Sequence, residues 1–371
     1  MKNKFTRLIA LLLCLLMLGT ALIACDEQGS DGETTTTETN VPPPAPPTPP
    51  STIAQLELEQ SNGMSYVARL KDGRYIIVDG GAESWSNKLN LFAYLSDNNT
   101  REGKPVIACW IITHFDGDHF DNAYSFWKTY RSRVEIQGIA YTTPDPSEFD
   151  ERPGDDDYTK EQKGLAKAVL VERLARWENV DDWFPNAFFW DLTAGEERTF
   201  SDVKVKVLIT AKERVPDNIY TNNQRSAVFQ LIFTQDTEDT ADDKKFMVFG
   251  DNSGDARQQW LIATYGKDVL KSDVMQTIHH GLAGGHLGIY RMVDPGICFW
   301  PTSQDRFEGK YDSNGNGDYL DDYQWCIDPD YNKWLRNDRI RQRQHYHHTQ
   351  TVIVNMSDLS VTVIPSQNAA E

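Results

Sequence analysis

The chain has 371 residues and a formal charge of −18 at pH 7, with 37 Lys and Arg against 55 Asp and Glu. A surface with this excess of acid repels polyanions, so the composition disfavours broad, non-specific binding to nucleic acid. Only five cysteines occur, and no two of them form a Cys-x-x-Cys pair, which excludes a zinc ribbon.

Residues 1–24 have the pattern of an export signal. Lys2, Lys4 and Arg7 make a positive start, and the apolar run at 8–22 is short for a membrane span. The run leads through Leu-Ile-Ala to Cys25, which resembles a bacterial lipobox. The resemblance implies that Cys25 is lipidated and that the protein is an extracytoplasmic lipoprotein held on a membrane by its lipid. An ordinary cleaved signal peptide is the alternative. Loss of residues 1–24 takes the formal charge from −18 to −21, because the segment holds three positive residues and no acid.

Residues 25–51 are rich in Thr, Pro and acidic side chains, and a proline-rich stretch runs from Pro42 to Pro50. With almost no apolar side chains to bury, this segment is predicted to be a disordered tether with a semi-rigid polyproline part. Residues 52–371 hold the aromatic residues and apolar runs that one large folded domain needs.

The predicted domain begins with a hairpin, in which strands at 64–70 and 74–78 flank an Asp-Gly turn at 72–73. The second strand ends in Asp79-Gly80-Gly81, where glycine permits a sharp turn. Apolar residues at near-helical spacing from Trp85 to Leu95 then predict a helix.

Val106 to Ile112 is a near-continuous apolar run, typical of a central strand buried on both faces. Asp121 is predicted to cap the helix that follows. Further strands are predicted at 134–141, 203–208, 227–233, 246–249 and 274–278, an exposed acidic loop at 144–158, and helices at 165–177 and around 260–265. Strands and helices therefore intermingle, which predicts an α/β fold with its site at strand ends.

Four side chains able to bind metal lie within six residues, directly after the predicted buried strand: His114, Asp116, Asp118 and His119. A cation needs several ligand atoms directed at one point, whereas a hydrophobic core avoids unpaired polar groups. Two further groups follow predicted strands in the same way, Gly250-Asp251 and His279-His280-Gly281. The alternative is a solvated acidic turn with incidental histidines.

This pattern resembles the HxHxDH signature of metallo-β-lactamase-fold hydrolases, over most of residues 52–300. The resemblance implies an α/β fold of the αβ/βα four-layer sandwich type, with insertions. It also implies two divalent metals bridged by Asp251. One metal would be completed by Asp118, His119 and His280, and the other would be held by His114 and Asp116. Asp79, Gly80 and Gly81 would then support the ligands structurally.

Two departures from the signature are informative. Asp116 replaces the second histidine, and no histidine occurs between His119 and Asp251. Both features are similar to the HxDxDH subgroup typified by the hydrolase domain of the competence protein ComEC, as are Asn223 and Ser226 before a strand. The missing ligand would leave one metal weakly held, unless His345, His347 or His348 is recruited. Three aspartates among six ligands shift the preference from Zn²⁺ toward Mn²⁺, with Zn²⁺ as the alternative.

The resemblance implies hydrolysis by a hydroxide held between two cations, with Asp118 in the catalytic centre. His279 or His286 would orient the phosphate or protonate the leaving group. His280 is taken as the ligand because the late histidine of the family is followed by glycine, and His279 is the alternative.

The predicted activity is cleavage of a phosphodiester or related ester, in a small molecule or a cell-envelope component. Nucleic acid is disfavoured as a substrate by the net charge. A β-lactam or lactone hydrolase is one alternative, and an inactive surface binding protein on the same scaffold is another.

Two weaker patterns complete the sequence. Asp312 to Asp318 resembles the first half of a calcium-binding EF-hand loop, but position twelve is Tyr323, and an exposed polar turn is the alternative. Cys298 and Cys326 could pair in an oxidising compartment or remain as thiols.

Overall fold

The structure, a computed structural model, describes most of the chain beyond the proline-rich stretch. The described residues are 48–60, 62–213, 221–282, 285, 287–310, 312, 344–346 and 350–366. All of them belong to one unit, Thr48–Glu371. The predicted signal peptide, Cys25 and nearly all of the predicted tether lie outside the described residues, so these predictions stand as made.

The strands within the described ranges are numbered in chain order. They are β1 (Thr52–Gln55), β2 (Tyr66–Arg69), β3 (Tyr75–Val78), β4 (Val106–Ile112), β5 (Glu135–Ile136), β6 (Gly138–Tyr141), β7 (Phe188–Asp191), β8 (Glu197–Phe200), β9 (Val203–Ile209), β10 (Val228–Phe233), β11 (Lys244–Val248), β12 (Val274–Gln276), β13 (Ile297–Trp300), β14 (Gln344–Tyr346), β15 (Gln350–Asn355) and β16 (Val361–Pro365).

The helices are numbered in the same way. They are α1 (Trp85–Asp97), α2 (Gly117–Tyr130), α3 (Asp157–Trp177), α4 (Val180–Trp183), α5 (Asp255–Leu270), α6 (Leu287–Val293) and α7 (Gln304–Glu308). Short 3-10 turns occur at Pro146–Phe149, Asn223–Arg225, Thr240–Asp242 and Ile278–Gly281. No helix in these ranges combines the length and the apolar content needed to cross a bilayer.

The strands form two sheets. The first has the order β16-β15-β1-β2-β3-β4-β6-β7, with β5 paired to β4, and the second has the order β14-β13-β12-β11-β10-β9-β8. Each sheet combines antiparallel and parallel pairs: β3, β4, β6 and β7 run parallel in the first, and β11 to β14 run parallel in the second. Carboxyl ends of parallel strands meet at one edge of a sheet, so loops that follow β3, β4, β11 and β12 can share a site.

Side-chain alternation divides the interior into three apolar layers. In β3, Ile76 and Val78 face the other sheet, whereas Tyr75 and Ile77 face α1 and α2. Helices α1 to α4 cover the outer face of the first sheet, and α5 to α7 cover the outer face of the second. The predicted α/β class and the helix–sheet–sheet–helix layering of an αβ/βα sandwich are confirmed, and all seven residues of β4 are buried as predicted.

Three local predictions were wrong. Asp121 does not cap a helix, because α2 already begins at Gly117 and the Asp121 carboxylate accepts hydrogen bonds from Arg173 and Arg176 of α3. The predicted strand at 134–141 is divided into β5 and β6, and the predicted loop at 144–158 contains the Pro146–Phe149 turn and the first residues of α3.

Candidate metal centre

The first group of site residues lies between β4 and α2. Strand β4 ends at Ile112, and the backbone then turns so that the N–H of Phe120 donates to the carbonyl oxygen of Asp116 at 2.9 Å. The turn places His114 and Asp116 before the helix, and Asp118 and His119 in its first turn. Four polar side chains thus begin at the edge of the sheet where the parallel strands end.

The second sheet supplies Asp251 directly after β11. Gly250 has a φ of 54°, and a Cβ atom there would come within 3.0 Å of the side chains of Ser226 and Thr113. Glycine is therefore required for this close approach of the two sheets. The N–H of Asp251 donates to Ser226 Oγ at 3.1 Å, which fixes the backbone that carries the carboxylate.

His279 and His280 lie in the 3-10 turn after β12. Both have left-handed backbones, with φ of 50° and 58°. Left-handed backbone costs a residue with a side chain on the order of 1 kcal/mol or more, and such strain concentrates at functional sites. The N–H of His279 donates to the carbonyl oxygen of Gly250 at 3.2 Å, so the turn is tied to the loop that carries Asp251.

Four of the predicted ligands meet in one cluster, Asp118, His119, Asp251 and His280. Each offers one ligand atom, and these atoms all lie within 4.8 Å of one another. His280 Nε2 is 3.0 Å from Asp118 Oδ2 and 3.2 Å from Asp251 Oδ2. His119 Nε2 is 3.2 Å from Asp251 Oδ1. The side chains of His119, Asp251 and His280 are almost fully buried, whereas that of Asp118 is partly exposed.

The hydrogen bonding of the cluster fits a divalent cation. His280 Nδ1 lies 2.7 Å from the carbonyl oxygen of Pro301, and His119 Nδ1 lies 2.7 Å from Asp79 Oδ2. A carbonyl or an ionised carboxylate only accepts, so both rings donate through Nδ1 and keep Nε2 for another partner. His119 Nε2, His280 Nε2 and Asp251 Oδ1 are buried without a hydrogen-bond partner among the described residues. A bound cation would satisfy all three atoms.

His114 and Asp116 form a separate pair beside this cluster. His114 Nε2 is 3.8 Å from Asp116 Oδ2, and it is also buried without a hydrogen-bond partner in the described part of the chain. The rings of His114 and His119 are 4.1 Å apart between centroids. Asp116 Oδ1 accepts from Asn222 Nδ2 at 3.1 Å. The second, weaker metal site remains a prediction, and this pair is where it would lie.

The carboxylates and the imidazoles of the cluster shift one another's pKa values. Burial lowers the pKa of His280, but Asp251 and Asp118 outweigh burial and raise it to about 9. The pKa of His119 is raised well above its usual value, since Asp251 and Asp79 outweigh the effect of its burial. Burial raises the pKa of Asp251, but the two histidines hold it well below its usual range. A cation would replace the protons on these histidines.

The pKa shifts of His114 and Asp116 run in the opposite directions from those of the clustered residues. Burial and the neighbouring His119 lower the pKa of His114 to about 4. Burial and the neighbouring Asp118 raise the pKa of Asp116 to about 6. His114 therefore keeps a lone pair at neutral pH without the need to lose a proton.

Asp79 supports the cluster from the end of β3. Its Oδ1 accepts from the N–H of Thr113 at 2.7 Å, and its Oδ2 accepts from Thr113 Oγ1 at 2.7 Å. Gly80 must be glycine, because a Cβ atom there would collide with the backbone nitrogen of Ala123 in α2. Gly81 has a φ of 83°, which also favours glycine. The three residues hold the helix that carries Asp118 and His119 close to the sheet.

His279 lies at the rim of the cluster. Its side chain is 24 % exposed, its Nε2 is 3.8 Å from Asp251 Oδ2, and Asn223 Nδ2 lies 3.1 Å from the same nitrogen. The structure thus places His280, rather than His279, among the four gathered ligands. His286, the other predicted acid, lies outside the described residues.

Three other predictions fall mostly outside the described residues. His345 lies in β14, with its carbonyl oxygen accepting from Gln55 Nε2, and it is not one of the four clustered residues, while His347 and His348 are not described. Of the predicted calcium loop only Asp312 is described. Cys298 is a buried free thiol in β13, and Cys326 is not described.

Sequence reasoning did not predict two neighbours of the site, Asn222 and the carbonyl oxygen of Pro301. Asn222 contacts Asp116, and the Pro301 carbonyl orients His280. A backbone carbonyl carries no signal in sequence, whereas Asn222 stands next to Asn223, which the sequence did single out.

No protein-family model matches the sequence, and no curated protein matches it. Among solved structures, it is similar to the metallo-β-lactamase-fold protein YhfI from Bacillus subtilis, with 9% identity and a TM-score of 0.35 over 67% of this chain and 85% of that one. It is similar to CmlA, a diiron β-hydroxylase from Streptomyces venezuelae, with 11% identity and a TM-score of 0.39 over 86% of this chain and 55% of that one. A long-form RNase Z from yeast gives 11% identity and a TM-score of 0.42 over 84% of this chain and 42% of that one.

The chain therefore spans about half the length or less of the last two. Such distant likenesses carry no inference about activity. The fold and the site define an α/β sandwich with a His/Asp centre suited to a divalent cation.

Proposed function

We propose that this protein is a metal-dependent hydrolase of the metallo-β-lactamase superfamily that cleaves phosphodiesters or related esters outside the cytoplasm. One observation carries the proposal. The buried Nε2 atoms of His119 and His280 converge on the carboxylate of Asp251 at 3.2 Å without forming aligned hydrogen bonds with it. An apolar interior does not leave such atoms unpaired unless an ion or a reacting group satisfies them.

The residues divide into two sets of ligands. Asp118, His119 and His280 would hold one cation, and His114 with Asp116 would hold a second, with Asp251 between the two sets. Divalent cations in such a centre act as Lewis acids and lower the pKa of bound water to roughly 7. The mixed oxygen and nitrogen donors admit Mn²⁺ as well as Zn²⁺.

The surrounding residues keep the ligands in place before any substrate arrives. Asp79 and the Pro301 carbonyl each hold one imidazole by its Nδ1, so both Nε2 atoms point into the centre. Ser226 holds the backbone of Asp251. Preorganised polar groups of this kind need no rearrangement when charge develops on the substrate.

His279 is the group best placed to contact substrate. It is partly exposed beside Asp251, and its Nε2 faces the side-chain amide of Asn223. An amide can donate or accept, so Asn223 can orient the ring in either of its neutral tautomers. His279 would therefore hydrogen-bond to the ester or give a proton to the leaving group.

The net charge and the proposed export limit the range of possible substrates. The formal charge of −21 for the chain without residues 1–24 disfavours a long polyanion and suits a small phosphodiester or an envelope ester. The HxDxDH pattern at 114–119 supports phosphodiester chemistry over β-lactam chemistry. A lipid on Cys25 would keep the domain at the outer surface of a membrane.

The test combines metal analysis with a substrate panel. The purified protein is assayed for bound metal and for hydrolysis of bis(p-nitrophenyl) phosphate and a chromogenic β-lactam, with Mn²⁺ or Zn²⁺ added. We expect at least one metal per chain and turnover of the phosphodiester only. Turnover of the β-lactam alone would replace the proposed substrate class, and less than one metal with no turnover would point to an inactive binding protein.

A further inference from the structure

A cavity of about 400 Å³ opens directly beside the candidate metal centre. It lies between α3 and the segment at 221–223, and Asp116 and Asp118 form the wall nearest the centre. A volume of this size falls in the range of small-ligand pockets. The cavity can therefore hold a group attached to whatever lies at the metal centre.

One wall of the cavity is apolar. Leu165, Ala166 and Val169 supply it from α3. Leu165 is 57% exposed, so much of its side chain is available for contact. Val171 on the same helix is also exposed, at 48%, but does not line the cavity. The apolar wall can contact the apolar face of a ligand.

Neutral polar side chains line the cavity as well. Gln162 comes from α3, and Thr221, Asn222 and Asn223 come from the segment at 221–223, so amides and a hydroxyl provide both donors and acceptors. Asn222 is only 4% exposed, and its Nδ2 donates to Asp116 Oδ1 and to the carbonyl oxygen of Ala166, both at 3.1 Å. Both partners only accept, which fixes the orientation of the amide. Its Oδ1 is buried and has no donor within the described ranges.

Among the described residues that line the cavity, no cationic side chain is free to bind an anion. Arg173 is the one basic side chain among the described lining residues. Its guanidinium is taken up by Asp121, at 2.8 and 2.9 Å, and by Glu172 at 2.8 Å. Unpaired guanidinium or ammonium donors are the strongest binders of a phosphate or carboxylate. The described lining therefore favours an uncharged group over an anion.

We infer that this cavity is a specificity pocket for an uncharged ring with hydrogen-bond donors and acceptors on its edge and an apolar face. The inference rests on the proposed function: the phosphodiester lies at the metal centre and its ring-bearing substituent lies against Leu165 and Gln162. A nucleobase and a sugar share this chemistry, and neither adds charge to an acidic protein.

The first test compares phosphodiesters that differ only in this substituent. The p-nitrophenyl esters of thymidine 5′-phosphate and glucose 6-phosphate carry rings, ethyl p-nitrophenyl phosphate carries none, and p-nitrophenylphosphocholine carries a cation. We expect kcat/KM for one ring ester to exceed that for the ethyl ester by about tenfold or more. The better ring ester identifies the source of the ring. Equal values for ring and ethyl esters, or a preference for the choline ester, would overturn the inference.

Matched variants of α3 connect that preference to the cavity. Leu165→Ala and Gln162→Ala are expected to reduce the ratio of ring to ethyl kcat/KM by about tenfold, since each removes one wall contact. Val171→Ala is the control, because it removes a similarly exposed aliphatic side chain that does not face the cavity. A ratio unchanged in Leu165→Ala and Gln162→Ala contradicts the pocket.

A second readout does not depend on turnover. Leu165→Cys and Val171→Cys are alkylated with a maleimide, and the labelled peptides are quantified by mass spectrometry. Thymidine 5′-monophosphate or glucose 6-phosphate should slow alkylation of the introduced thiol several-fold at position 165 only, and inorganic phosphate should not slow it. Protection by inorganic phosphate alone would mean that the cavity takes an anion. A wild-type protein inactive on every ester would instead contradict the proposed hydrolase, so the two failures are distinct.

Discussion

Asp79 Oδ2 lies 2.7 Å from Nδ1 of His119, and both side chains are fully buried. The carboxylate accepts the ring N–H, so it sets the tautomer of the imidazole and directs Nε2 toward Asp251. It also accepts two hydrogen bonds from Thr113 at the end of β4. One side chain therefore links the backbone of the central strand to a candidate ligand.

We predict that Asp79→Asn weakens metal binding about 10- to 100-fold, because the amide cannot hold the imidazole as an ionised carboxylate does. Titration of the metal-free variant, followed by calorimetry, measures the change. Asp202→Asn is the control, since Asp202 likewise accepts from a backbone N–H and a hydroxyl but lies away from the centre. Equal affinities for the Asp79 variant and the wild type would contradict the role of Asp79.

Removal of a central carboxylate should have a larger effect. Asp118→Ala and Asp251→Ala are each predicted to abolish stoichiometric metal binding and to lower hydrolysis by about a thousandfold or more, because each leaves two imidazoles without their shared partner. Elemental analysis and the phosphodiester assay measure the two effects. Asp268→Ala, an exposed position on α5, should change neither. Full activity in either cluster variant would show that the centre has been misplaced.

Metal binding is predicted to release protons. The pKa of His280 is raised to about 9, so its ring is protonated at pH 7.5 in the metal-free protein, and the pKa of His119 is raised well above its usual value. A cation should therefore displace at least one proton at that pH, and the number should fall as the pH rises through about 9. Calorimetry in buffers of different ionisation enthalpy counts them. A count near zero at pH 7.5 would contradict the predicted protonation.

The same shift predicts how the metal-free protein responds to pH. The folded-state pKa of His280 lies above the value of about 6.5 for an unfolded chain. Its contribution to the free energy of unfolding is therefore fully present below about pH 6.5 and is lost as the pH rises through about 9. Urea titrations of the metal-free protein at pH 6.5 and 9.5 measure the loss. Greater stability at pH 9.5 would reverse the sign and count against the arrangement.

The two described cysteines are predicted to be unreactive in the folded protein. Cys109 and Cys298 are buried, and burial raises the pKa of both thiols far above the usual value. Thiolate is the reactive form, so alkylation should occur only after unfolding. Peptide mapping after alkylation with and without guanidinium distinguishes the positions. Rapid labelling of either thiol in the native protein would show that its strand is more open than described.

A pair of glycines offers a stability test. Gly80→Ala is predicted to destabilise the fold by about 2 kcal/mol or more, because the new methyl group collides with the backbone of α2. Gly164→Ala in α3 has open space and a helical backbone, so it should stabilise the fold by about 0.5–1 kcal/mol. Thermal or urea unfolding of both variants measures the difference. Similar stabilities would contradict the close packing of α2 on the turn at Gly80.

The parts of the structure that sequence could predict are those fixed by neighbours along the chain. The run at 106–112 is apolar throughout, so burial on both faces followed, and the polar residues from His114 to His119 follow it without a gap. The same local logic located Asp251 and the 279–280 pair at strand ends. Their convergence depends on the two sheets packing face to face, which was inferred from a resemblance rather than from the residues.

The failures have a physical cause as well. Asp121 has the composition of a helix cap, but two arginines 52 and 55 positions away bind it instead. The edge strand β8 is largely exposed and has no apolar run, so it lacks the signal that revealed the central strands.

The four clustered ligands are contributed equally by the two sheets, since Asp118 and His119 follow a strand of the first and Asp251 and His280 follow strands of the second. A divalent ion bound there would cross-link the two halves of the sandwich. A small displacement of one half relative to the other would break the coordination. Loss of the ion should therefore increase amide hydrogen exchange in the loops at this end of the sandwich. Exchange at the opposite end of the two sheets should change little.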